Sequence, residues 1–191
     1  MIATHKFFMV MLGCRPKGRY TEQHDIFFGI GSDLKELLPE MKAFWPEAKG
    51  KIHIDAWREV TVVDGFRINI IEKKSIDNSN ITTDDKLFFL NLGGYKPNEF
   101  EEYHYKILTV SPTLSAATKT AKATTFYRHC GFEGATSHID DKFGIDVDDF
   151  YNVQDILDEL TKSKYSIEIT KSSENLENDK LHIGYVPISK L

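Results

Sequence analysis

The sequence predicts an α+β protein made of two tandem, pseudo-symmetric β-β-α-β units with mixed sheets, followed by a C-terminal β-hairpin extension. Three observations carry that reading. The chain matches itself at a shift of about 80 residues, a domain-sized period rather than a solenoid one. Each half opens on a nearly continuous apolar run, "FFMVML" or "LFFLNL", of the kind a strand buried on both faces requires. Each half then places one helical pattern between two further strand-like segments.

The self-match runs in order. Phe8 falls on Phe88, Leu12 on Leu92, Gly13 on Gly93, Glu22 on Glu102, His24 on His104, Leu34 on Leu114 and Lys42 on Lys122. A five-residue insertion then brings His53-Ile54-Asp55 onto His138-Ile139-Asp140, Val62 onto Val147 and Asp64 onto Asp149. The implied organisation is a first unit over 1–72, a polar linker over 73–86, a second unit over 87–160 and the extension over 161–191.

The elements follow in order. The second strands are "HDIFFGI" (24–30) and "HYKILTV" (104–110). In the first unit Ser32 is placed to cap a helix whose Leu34, Leu37, Leu38, Met41, Phe44 and Trp45 recur at helical spacing. Pro39 should kink that helix or delay its start. In the second unit Ser111-Pro112 supplies a cap and first position for "TLSAATKTAKATTFYRHC". The third strands carry the two HID segments. A right-handed crossover from strand two to strand three makes those strands parallel. The apolar first strand then sits between them, in the order 2-1-3, and two such units could pair about a pseudo-two-fold axis.

Asp64-Gly65 is a hairpin signal, yet a two-residue turn puts Val60 and Val62 on the opposite face from Phe66, Ile68 and Ile70. That disagreement argues for a bulge, another loop length or no hairpin. "YNVQDILDEL" spaces Val153, Ile156, Leu157 and Leu160 like a helix. "YSIEIT" (165–170) and "LHIGYVPI" (181–188) read as two strands around a polar loop.

The pattern "FFMVMLG…EQHDIFFGIG…MKAFWPEAKGKIHIDAWREV" resembles the bacterial family known as domain of unknown function 1543, over roughly 5–72 and 86–155. The resemblance implies one or two copies of the domain per chain. It implies no catalytic residues, because no activity is established for the family.

Net charge is −5, divided as +1 over 1–82 and −6 over 83–191. This balance disfavours a phosphate backbone as partner, so no nucleic acid is expected. The apolar runs are too short to cross a membrane as helices, and residues 7–14 read as a strand rather than an export signal. Cys14 and Cys130 make no disulfide framework, and a cytoplasmic location is the default expectation. Cys130 reads as a packed thiol.

Residues two apart on a strand share a face. Glu22 thus pairs with His24 and His53 with Asp55, and the second copy repeats this as Glu102/His104 and His138/Asp140. These eight residues are the candidate polar set, suited to a divalent cation or to acid–base chemistry. If strand one separates strands two and three, the two pairs stand about 9.6 Å apart, so each His should bond its own neighbouring carboxylate or a loop carbonyl. "DDKFGIDVDD" reads as a solvated acidic loop and fails the EF-hand pattern. Glycines 13, 93 and 94 are expected to end strands or make turns. Tyr20 and Phe100, at equivalent loop positions, suggest a buried anchor or a contact between units.

The expected function is therefore a binding or interaction protein, of which an acidic inhibitor or immunity-type protein is a special case. Its partner would be a protein or small-molecule ligand, no cofactor is expected, and self-association stays open. The alternative is a metal-assisted hydrolase using the paired His and carboxylate sets.

Overall fold

The structure, a computed structural model, describes residues 5–73, 84–95, 98–122 and 145–191. The fold is α+β with three sheets. The chain divides into unit 1, residues 1–79 with 157–191, and unit 2, residues 80–156.

In unit 1 the apolar run becomes β1 (Lys6–Cys14), which pairs antiparallel with both β2 (Gln23–Gly31) and β3 (His53–Glu59). The order 2-1-3 forms as expected, and β2 and β3 are parallel to each other. The central strand explains the composition of the run. Phe8, Val10, Leu12 and Cys14 face a core completed by Phe27, Leu34, Leu37, Met41 and Ile54.

The expected helix begins late. Glu36 Oε2 accepts a bond from the Ser32 amide, Asp33 Oδ1 accepts one from the Glu36 amide, and α1 occupies only Leu38–Phe44. Pro39 stands in its first turn, where a missing N–H costs nothing, so it delays the start rather than kinking the helix. Ser32 is not its cap. Phe44 is half exposed and meets the Phe27 ring edge-on.

The Asp64-Gly65 hairpin does form. β4 (Val62–Val63) and β5 (Phe66–Glu72) pair Val63 with Phe66, and both turn residues have positive φ, 52° and 78°. Val62 pairs with Arg67 and so keeps the face opposite Phe66, but it is only partly buried and β4 ends after two residues, so the disagreement of faces does not prevent the hairpin. Val60 lies before it, buried and bonded through its amide to the Phe7 carbonyl.

In unit 2, β6 (Lys86–Tyr95) lies between β7 (Glu102–Ser111) and β8 (Ile145–Asn152), again antiparallel to both. Helix α2 (Leu114–Lys122) is capped by Thr113 Oγ1, which accepts from the Ala116 amide; Ser111 Oγ instead donates to the Thr113 carbonyl. Phe88, Leu90 and Leu92 pack on Ala117 and Ala121 of this helix. The expected single helix over 151–160 is two short ones, α3 (Val153–Ile156) and α4 (Glu159–Lys164). Asp158 restarts the helix by accepting the amides of Leu160 and Thr161, at 3.0 and 3.1 Å.

The two C-terminal strands form but do not make the expected hairpin. β9 (Tyr165–Lys171) pairs with β5, and β10 (His182–Pro187) pairs with β3. Each finds an open edge in unit 1, and the polar segment between them is long enough to pass from one sheet to the other. Asp179 fixes that passage. Its carboxylate accepts the Thr61 amide at 3.1 Å and hydroxyl at 2.6 Å, and lies 3.9 Å from the Arg58 guanidinium.

Candidate functional site

Gly13 is the starting point. It is the penultimate residue of β1, near the strand end as expected but still paired, opposite His24 of β2 and His53 of β3. It faces away from Leu12 and the core. A Cβ at this position would lie 2.3 Å from both Asp55 Oδ2 and His53 Nε2. The missing side chain opens a hollow on the middle strand, and side chains from both flanking strands reach into it.

Four predicted residues meet there. Glu22 Oε1 is 3.1 Å from His53 Nε2, which is 3.2 Å from Asp55 Oδ2, which is 3.2 Å from His24 Nε2. The expectation that strand one would keep the pairs apart is therefore corrected. His24 meets Asp55 across β1 rather than its own neighbour Glu22, because glycine removes the obstacle. A bulge assists. Leu12 pairs with Ile54 and Met11 with Ala56, leaving Asp55 as the extra residue of β3. Such a residue turns its side chain toward the face of its neighbour.

His53 is the buried member, 8% exposed, whereas the Glu22 and His24 side chains are 46% and 40% exposed. The cluster thus has a dry floor and an open mouth. His53 Nε2 and Asp55 Oδ2 are shielded from solvent yet make no hydrogen bond of acceptable geometry. Close contact without hydrogen-bond alignment leaves both atoms demanding a partner. The contacts are pairwise: among the described residues, no three His, Cys, Asp or Glu side chains already surround a metal-sized centre. β10 adds a wall, with the Tyr185 ring 4.5 Å from that of His53. Cys14 faces the core, and burial followed by the Glu22 charge pushes its thiol up, away from nucleophile chemistry.

The corresponding strands of unit 2 are not equivalent. β7 follows β2 at the 80-residue shift, with Gly93 opposite His104 as Gly13 is opposite His24. β8, however, follows β3 at a shift of 93, not 85. Gly93 pairs with Asp146 where Gly13 pairs with His53, and the bulge residue equivalent to Asp55 is Asp148. The second HID segment therefore does not occupy the strand position of the first; His138 and Asp140, like Cys130, lie outside the described residues. Residues 145–149 of the supposed acidic loop are strand. Glu102 and His104 remain neighbours, 3.8 Å apart. Tyr20 and Phe100 are fully exposed rather than buried anchors.

Gly13 and Tyr185 were missed as site residues. The signal for Gly13 was available, since a glycine followed by Cys14 can lie within a strand rather than at its end. Tyr185 carried none, because nothing local shows that residues 182–187 pair with β3. No helix among the described residues is long and apolar enough to cross a membrane.

No curated protein matches the chain. Among solved structures it resembles the crystal structure of a protein Il1583 from Idiomarina loihiensis, with a TM-score of 0.61 and 20% identity. The match covers 96% of this chain and 98% of that one, and establishes likeness of fold alone. Residues 19–70, which include Glu22, His24, His53 and Asp55, match the family described as Domain of Unknown Function (DUF1543).

Proposed function

We propose that the protein is a binding protein and that the Glu22–His53–Asp55–His24 chain over Gly13 is its binding site, suited to a divalent transition-metal ion. The carrying observation is the convergence of two imidazoles and two carboxylates from separate strands on one side-chain-free position. Donors about 2.1 Å from a common ion stand roughly 3.0–3.4 Å apart, the range of the contacts here. A cation would satisfy His53 Nε2 and Asp55 Oδ2 together, with the half-exposed Glu22 and His24 side chains reorienting around it. Imidazole with carboxylate suits Zn, Mn, Co or Ni better than Ca or Mg.

Two finer readings stand behind this one. A bound ion with an open side would activate water, so the partial exposure of Glu22 and His24 favours a metal-assisted hydrolase as the second reading. An inhibitor-type interaction through residues 83–191 rests on their −6 charge. The shared strand order and the common 80-residue register of the first two strands support an internal duplication of the unit.

The test is calorimetric titration of the full chain with Zn(II) and Co(II). About one ion per chain is expected, with affinity falling at least 100-fold in His53→Ala and at least 10-fold in Gly13→Ala. The alanine Cβ displaces the ends of two flexible side chains rather than backbone, so Gly13→Ala should stay folded by circular dichroism. Absence of binding to the folded wild type, or equal binding by His53→Ala, rejects the site.

A further inference from the structure

Unit 2 contains a cavity of about 410 Å³ between the start of β6, the start of α2 and the end of β8. The same strand positions in unit 1 are filled differently. Lys6 opens β1 and Lys86 opens β6, while Glu59 and Asn152 hold equivalent positions opposite Phe8 and Phe88. In unit 1 the ammonium of Lys6 is closed onto Glu59 at 2.8 Å. In unit 2 the carboxylate is replaced by an amide, and the ammonium of the exposed Lys86 forms no ion pair or hydrogen bond with a described residue.

The walls differ in the same sense. Trp57 of unit 1 packs on Phe8 at 6.1 Å and is stacked under His182 of β10, 3.8 Å away and 2° from parallel. Its counterpart by register is Phe150, a smaller ring left 49% exposed, and no strand lies beyond β8 among the described residues. Phe88 forms an apolar wall of the cavity. Thr113 also lines it, placing the positive end of α2 and the uncapped amides of its first residues beside the opening. One carboxylate, Asp155, is present, but it accepts a bond from Asn152 Nδ2 at 3.1 Å.

An exposed ammonium with no partner among the described residues, a helix N-terminus and aromatic walls around a volume within the usual range for small-molecule sites describe one ligand chemistry. We propose that this cavity binds a small planar organic anion, its acidic group on Lys86 and the amino end of α2, its flat body against Phe88 and Phe150. The proposal concerns unit 2 only and is independent of the cation site in unit 1.

The test is calorimetric titration of the full chain with 2-naphthoate, the neutral 2-naphthamide and phenyl phosphate. We expect 2-naphthoate to bind at least 10-fold more tightly than the amide. Lys86→Met should weaken it at least 10-fold. Asn152→Glu, which restores the Lys–Glu closure of unit 1, should weaken it similarly, with circular dichroism showing both variants folded. Phenyl phosphate binding above 2-naphthoate, and equally sensitive to Lys86→Met, supports the same site with phosphate as the preferred headgroup. Failure of both anions to bind overturns the proposal. So does equal binding of the amide, or 2-naphthoate binding unchanged in Lys86→Met.

Discussion

The sheets of unit 1 and unit 2 share a strand order, a register for their first two strands and a bulge at the same step of the third. They differ in two respects. One is the residue opposite the central glycine, His53 against Asp146. The other is the strand added outside β3, which β8 lacks among the described residues. The first difference sets a histidine opposite the central glycine of unit 1 and an aspartate opposite that of unit 2. The second stacks His182 on Trp57 in unit 1, whereas Phe150 of unit 2 is half exposed. Equivalent strand pairings thus carry different chemistry.

The comparison is broken most strongly by making unit 2 resemble unit 1. Asp146→His places an imidazole opposite Gly93, joining Glu102, His104 and Asp148 at positions equivalent to the unit 1 site. The stoichiometry of Co(II) binding should rise from about one to about two ions per chain by calorimetry. Unchanged stoichiometry in a folded variant would show that register equivalence does not extend to side-chain geometry.

The next largest effect comes from making unit 1 resemble unit 2. Asp179→Ala removes the acceptor for the Thr61 amide and hydroxyl. It also leaves Arg58, whose pKa burial already depresses against the opposing effect of Asp179, without its nearest carboxylate. Losses of this kind cost about 2–4 kcal/mol. For a chain of this size that is a fall in Tm of roughly 5–12 °C, measured by thermal denaturation. A shift below about 2 °C would mean that β10 is held by its ladder alone.

The smallest effect tests the packing of α1 near α4, a feature that only unit 1 has. Burial, reinforced by the Asp158 and Glu36 charges, pushes the Glu40 carboxyl above its ordinary range, and one of its oxygens is buried without a hydrogen bond. Burial also pulls Asp158 upward, but its bonds from Thr161 and Leu160 outweigh that and hold it below the ordinary range. The signs are opposite. A raised Glu40 supplies stability below its unfolded pKa that is lost as pH rises through the folded value. A lowered Asp158 supplies stability above its unfolded pKa that is lost as pH falls. Glu40→Gln should therefore raise Tm by about 1–3 °C at pH 7, and the gain should vanish below about pH 4. A gain that persists at pH 3.5 would assign the effect to shape rather than charge.

Much of this was legible in the residues, because the signals are local. Continuous apolar runs marked both central strands, Pro39 marked a delayed helix and Asp64-Gly65 marked a turn. Polar residues two apart identified Glu22, His24, His53 and Asp55. The rest depended on long-range facts. At a shift of 85 the second HID matches the first, with Val147 and Asp149 in step, whereas the ladder selects residues 145–152 at a shift of 93, which share only Asp148 with the HIDAWRE segment. The separation of the two histidines was calculated from strand spacing, which assumes a side chain on the intervening strand. Gly13 has none. The C-terminal strands were recognised but their partners were not, because an exposed edge in one part of a chain leaves no mark on the segment that will cover it.

The attachment of β9 and β10 also fixes an order of events on the ribosome. Strands β1 to β3 are synthesised first, yet their sheet gains its fourth member only after residues 182–187 have emerged. Unit 2 is one uninterrupted segment and has all its residues available earlier. Domains usually fold in the sequence in which they are made. Here the sheet begun earlier is completed later, and until residues 182–187 have emerged the outer edge of β3 and the floor beneath Tyr185 stand open.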